Sequence, residues 1–140
     1  MRRTQARERV LLGLYRREHR DFDLEELFGE QDPGDQRRYI TETYEGILAH
    51  LSELDELLEA RTVGWRLSRL GWLDRNILRL AAYELLFADD VPPEVVINEA
   101  VELSKTYGTD NAPSFVNGIL DRLLQGKREG NVTEKQSDET

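Results

Sequence analysis

The 140-residue chain has no cysteine, which excludes disulfides, thiolate metal sites and a cysteine nucleophile. Its two histidines, His19 and His50, stand far apart and in no metal-ligand or triad motif. Long apolar runs are missing too. The richest, Leu80 to Ala88, is short and carries Glu84, so no stretch reaches the length of a membrane-spanning helix. The apolar patch from Val10 to Tyr15 is too brief for a signal-peptide core, and no small-residue cleavage site follows it. Glu8 and Glu18 speak against an organellar transit peptide. There is no glycine-rich phosphate loop, and the many carboxylates fall mostly on polar helix faces, where solvation accounts for them. The expectation is a non-enzymatic protein of the reducing cytoplasm, without metal or cofactor.

What is present begins with charge. The net charge of −9 argues at first sight against nucleic acid, but its distribution is uneven. Residues 1–20 hold seven arginines against Glu8 and Glu18, a local +5, which leaves −14 on the other 120 residues. A basic arm on an acidic body would repel RNA generally and confine binding to the arm. The length suits one domain able to bury roughly two-thirds of its unfolded surface. Residues 1–126 are expected to form it. From Lys127 onward only Val132 is clearly apolar, so 127–140 reads as a disordered tail.

Helical periodicity dominates, and no alternating strand stands out. A first helix, about 4–19, places Val10, Leu11, Leu14 and Tyr15 on one face and Arg2, Arg9, Arg16 and Arg20 on the other. Arg3 and Arg7 differ, because they continue the apolar line past its N-terminal end and should overhang the core's edge. A short helix near Asp23–Phe28 and a turn at Gly29–Gly34 follow. An amphipathic stretch, about 35–61, breaks near Ser52, a candidate cap. Residues 72–89 are apolar nearly all round, which marks the central helix. The next spans 93–107, with proline in its first turn and Gly108 as its stop. The last spans 112–125, capped by Asp110 or Asn111, with Gly126 past its end.

Four blocks carry a more specific signal: Ala6-Arg7-Glu8 leading to Gly13-Leu14-Tyr15, Asp74-Arg75-Asn76-Ile77-Leu78-Arg79-Leu80-Ala81-Ala82-Tyr83-Glu84-Leu85, Val96-Ile97-Asn98-Glu99-Ala100, and Phe115-Val116-Asn117-Gly118-Ile119-Leu120-Asp121. Preceded by Trp65-Arg66-Leu67-Ser68-Arg69-Leu70, this set resembles the NusB family in order, content and spacing over about residues 2–125. The resemblance implies an all-α fold of two small helical bundles packed crosswise. It also implies binding to the boxA element of nascent ribosomal RNA leader transcripts as a heterodimer with NusE, a small-subunit ribosomal protein. That heterodimer joins RNA polymerase and other Nus factors in an antitermination complex.

The residue chemistry agrees with an RNA surface made of Arg2, Arg3, Arg7, Asn111, Ser114 and Phe115. Arginine pairs bidentately with phosphate and stacks on unpaired bases. Phe115, one turn into the last helix, is the candidate stacking platform, although a lone phenylalanine more often packs in a core. Asn111 can cap the helix whatever else it does. Tyr15, at the edge of its stripe, packs in the core or meets a partner. Glu84 sits in line with Leu73, Ile77 and Leu80, with no cation three or four residues away. Such a carboxylate needs a partner or exposure: an arginine inside the fold, Arg79 or another, or a basic protein such as NusE. Arg79 is expected to find Glu99 or Glu102, and Asn98 and Asn117 to bond across helix junctions. Two alternatives stay open: an accessory domain for ribosomal RNA methylation, disfavoured because no methyltransferase domain follows, and a helical module that binds an acidic protein. A homodimer hiding the RNA surface also remains open.

Overall fold

In the computed structural model, which describes residues 1–29, 32–62, 66–88 and 90–130, all regular structure among the described residues is helical. The six helices are α1 (Arg3–Arg17), α2 (Arg37–Ala49), α3 (Leu51–Glu59), α4 (Trp72–Phe87), α5 (Pro93–Tyr107) and α6 (Ala112–Arg128). Short 3-10 turns at Leu24–Phe28, Gly34–Gln36 and Leu67–Arg69 connect them. The first three helices form one group and the last three another, joined through α4, which packs against each of the other five.

The sequence explains α4's position. Ile77, Leu78, Leu80, Ala81, Ala82, Leu85 and Leu86 are all buried, so the helix offers apolar surface in several directions at once. Each fully buried leucine or isoleucine contributes about 1.5–3 kcal/mol relative to exposure. Around it, α1 supplies Val10, Leu11 and Leu14, α2 supplies Ile40 and Ile47, α3 supplies Leu54 and Leu58, and α6 supplies Ile119, Leu120 and Leu123. Gly13 lets the turn at Leu24–Phe28 approach α1, because a Cβ there would lie 2.8 Å from a Leu27 methyl.

The boundaries follow local chemistry, with three departures from expectation. Helix α5 runs from Pro93, whose missing N–H costs nothing in a first turn, to Tyr107 before Gly108. The 3-10 turn is closed by a capping box: Asp23 accepts from Glu25 N at 3.1 Å, and Asp23 N donates to Glu26 at 3.2 Å. The α2–α3 break comes near the expected place, but His50 rather than Ser52 stands before α3, and its side chain does not cap the helix. There the imidazole stacks on Phe87 of α4, with ring centroids 4.1 Å apart, and that packing fixes the corner. Nor does Asn111 cap α6 through its side chain, since its backbone is already helical (φ −89°, ψ −10°). Helix α6 continues through the buried Gly126 to Arg128, and Lys127 Nζ donates to the Leu85 carbonyl at 2.7 Å. The glycine that turns the chain out of the helix is Gly130, at φ +79°. Lys127 and Arg128, expected in the tail, thus belong to α6, and residues 131–140, like Trp65, Glu30 and Gln31, lie outside the described residues.

Candidate nucleic-acid interface

The seven arginines of the first twenty residues have different fates. Arg7 turns inward and is 4% exposed. Its Nε and one terminal nitrogen donate to the two oxygens of Glu84, at 3.1 and 2.8 Å, and its other terminal nitrogen donates to Glu99 at 3.2 Å. Glu84, 2% exposed, also accepts the Tyr39 hydroxyl, and Thr4 donates to Glu99 at 2.9 Å. Burial works against the Arg7 charge, but the Glu84 hydrogen bonds and field outweigh it and hold the guanidinium above its ordinary value. Burial first, then the adjacent Glu84 carboxylate, pushes the Tyr39 phenol far up.

The network thus unites α1, α2, α4 and α5 around the buried Arg7–Glu84 pair. It answers the question that Glu84 posed. The carboxylate pairs inside the fold with Arg7, so in this conformation Glu84 does not face a partner protein and Arg7 is not free to meet phosphate. Arg79 also pairs inside, but with Asp55 at 2.8 and 2.9 Å and with Asn76 at 3.0 Å. The expected Glu99 and Glu102 are engaged by Arg7 and Lys105 instead. Asn98 and Asn117 are exposed, and Asn117 bonds Asp121 within its own helix, so neither spans a helix junction.

Arg3 is intermediate. Its Nε donates to Gln36 at 2.7 Å while the guanidinium lies over the Tyr39 ring, 4.0 Å from the centroid. Arg16 and Arg20 both reach Glu26, at 3.5 and 2.8 Å; the hydrogen bond from Arg20 leads in holding Glu26 below the usual carboxylate range. Arg2, Arg9 and Arg17 pair with no carboxylate among the described residues, and Arg9 lays its guanidinium against Gly29. The basic arm is therefore smaller than its composition suggests.

Several of the residues expected to meet RNA stay at the surface. Arg2, the residue before the helix, is exposed, and its N–H donates to Gln5 at 2.9 Å. Tyr107, ending α5, is anchored to α1 by its hydroxyl, which donates to Glu8 at 2.8 Å. Five residues later α6 starts, with Asn111 and Ser114 exposed and Phe115 half-buried against the core. The Tyr107–Glu8 bond thus ties α1 to the end of α5, from which the chain runs on into α6. The fold does not bring the two expected partner contacts together. Tyr15 packs on Trp72 at the first turn of α4, centroids 4.4 Å apart, whereas Glu84 lies twelve residues along, about 18 Å at helical rise. The residues that sequence reasoning missed are Trp72 and Tyr107, 41% and 51% exposed; both sit in helices whose aromatics read as core.

These features define an all-helical protein with exposed arginine and aromatic side chains and no helix among the described residues long and apolar enough to cross a membrane. The NusB family profile matches residues 4–125, and the chain belongs to the NusB family. It is 42% identical to the transcription antitermination protein NusB of Wolinella succinogenes over 133 residues, 91% of this chain and 98% of the relative. With its Bifidobacterium longum counterpart it shares 38% over 144 residues, 99% of this chain and 76% of the relative. Among solved structures, Thermotoga maritima NusB superposes with a TM-score of 0.84 at 40% identity, covering 94% of this chain and 99% of that one. A crystal structure of antitermination factors NusB and NusE in complex with dsRNA superposes at 0.76 and 32% identity, covering 89% and 96%.

Proposed function

We propose that this chain is a transcription antitermination factor that acts by binding, without catalysis, in the cytoplasm. It takes boxA-type single-stranded RNA from ribosomal RNA leader transcripts, together with NusE, and through that complex joins RNA polymerase. The observation that carries the reading is the likeness, over nearly the whole chain, to the NusB of a solved NusB–NusE–RNA complex. The exposed Arg2, Asn111 and Ser114 and the half-buried Phe115 support the RNA half: a guanidinium for phosphate, short polar groups for base edges and an aromatic edge for stacking. Arg3 contributes from over Tyr39. Arg7 and Glu84 act one step removed, holding the start of α1 where Arg2 and Arg3 can meet the RNA. Tyr15 is the contact proposed for NusE.

The test is fluorescence anisotropy of a labelled boxA-type RNA, titrated with the protein alone and with NusE at two salt concentrations. Binding should tighten with NusE and weaken with salt. A folded protein that leaves the RNA free in every condition would overturn the proposal.

A further inference from the structure

Among the arginines at the start of α1, Arg3 is the one that a neighbouring helix holds without neutralising it. Its Nε donates to the Gln36 side-chain oxygen at 2.7 Å, and its guanidinium lies over the Tyr39 ring, 4.0 Å from the centroid. Gln36 and Tyr39 stand three residues apart at the start of α2, so their side chains share one face and reach the same guanidinium. We propose that Gln36 and Tyr39 are positioning residues for RNA binding: they hold Arg3 so that its two terminal nitrogens meet one RNA phosphate end-on. The inference rests on the RNA-binding reading above and deepens it, moving from which arginine meets RNA to what aims it.

Three features support this role. First, the charge of Arg3 is left over. Arg7, one turn along the same face, spends its charge on Glu84 and Glu99, whereas Arg3 pairs with no carboxylate among the described residues. Arg3 lines an open groove between α2 and the end of α4, and the groove's other arginine, Arg38, is paired with Glu42 at 2.8 Å. Second, the contacts divide the guanidinium. Gln36 takes Nε and Tyr39 takes one face, which leaves the terminal nitrogens as a fork, the bidentate form in which arginine holds phosphate. Third, the supports are themselves fixed. Gln36 ends a 3-10 turn, its N–H donating to the Pro33 carbonyl at 3.0 Å, and the Tyr39 hydroxyl donates to the buried Glu84. A long side chain already held in place has less freedom to lose when its ligand arrives. For stability alone a carboxylate at position 36 would grip Arg3 more firmly, but it would compete with phosphate. The neutral amide gives direction and leaves the charge free.

The test is a double-mutant cycle on affinity for boxA-type RNA, measured with NusE present. Gln36→Ala should raise the Kd by about two- to twelve-fold, the range for immobilising one long side chain, while circular dichroism matches the parent. Tyr39→Leu removes the face under Arg3 and should act in the same direction; Tyr39→Phe restores the ring and should recover most of the loss. Should Tyr39→Leu fail to fold, Gln36→Ala carries the cycle alone. Arg3→Lys keeps the charge without the fork, so it should lose affinity and keep the salt slope. Gln36→Glu should weaken binding and lower the slope of log K against log salt by about 0.7, because Arg3 is then neutralised. In the Arg3→Ala background, neither Gln36→Ala nor Tyr39→Leu should weaken binding further. Losses that persist at full size without Arg3 would overturn the assignment, because the two residues would then act by another route. So would unaltered RNA affinity in folded Gln36→Ala and Arg3→Ala proteins, and either result leaves the RNA-binding reading intact. If the parent protein with NusE binds no RNA at all, both readings fall together.

Discussion

Removing Arg7 tests whether the fold, rather than the RNA, claims this arginine. In the native chain Arg7 and Glu84 are 4% and 2% exposed and joined by two hydrogen bonds of 3.1 and 2.8 Å. Arg7→Ala leaves Glu84 buried with the Tyr39 hydroxyl as its remaining donor. Breaking a buried pair from one side generally costs about 3–5 kcal/mol. The surviving Tyr39 bond argues for the lower end, near 3 kcal/mol. For a domain of this size that lowers Tm by roughly 10 °C and moves the urea midpoint down by about 1–2 M. The assay is urea unfolding followed by far-UV circular dichroism, with the Arg7→Met and Glu84→Leu single variants and their combination alongside. The double variant should lose far less than the two single losses added together, because no orphaned charge remains. A stability within about 1 kcal/mol of the parent for Arg7→Ala would refute the argument. If RNA affinity fell while stability held, Arg7 would be a surface contact after all.

Three further outcomes are expected. Gly29→Ala should destabilise by about 1–3 kcal/mol in thermal unfolding, because Gly29 sits at φ +69° and ψ −157° and its new methyl would meet the Arg9 guanidinium; an unchanged Tm would contradict the strain. Stability should fall as pH rises above about 10, where the unfolded chain releases the Tyr39 proton that the folded state retains through burial and Glu84. The sign is that of a folded-state pKa raised above its unfolded value, so the contribution is complete below pH 10 and lost above it, by no more than about 1.4 kcal/mol per unit. Tyr39→Phe should flatten that decline, and identical alkaline curves would disprove the link. Finally, Arg2→Ala should reduce the slope of log K against log salt for RNA by about 0.7 with no change in Tm; an unaltered slope would remove Arg2 from the RNA surface.

Much of the fold was readable because its signals are local. Pro93 and Gly108 bracket α5, and the apolar surround of residues 72–87 announces the central helix. The misreadings arise where packing between distant segments decides. The corner at His50 depends on Phe87, and the end of α6 depends on Leu85 accepting Lys127. The partner of Glu84 illustrates the limit well. Periodicity placed both Arg7 and Glu84 on core-facing lines without local counter-charges, yet residues 77 apart cannot be matched by spacing alone. Two orphan charges of opposite sign on apolar stripes were the available signal. Trp72 and Tyr107 carried none, since an aromatic on an amphipathic helix looks the same whether it is covered or bare.

The position of α4 has a consequence for how the protein is made. Helices α1, α2 and α3 all close on a helix that is translated after them, and Arg7 finds Glu84 only 77 residues later. At about 5–20 residues per second, the apolar stripes of the first half wait roughly 4–15 s for their cover. The first half has no finished interior until α4 arrives. The first three helices therefore depend on α4 for their cover, and the released chain should unfold as one unit.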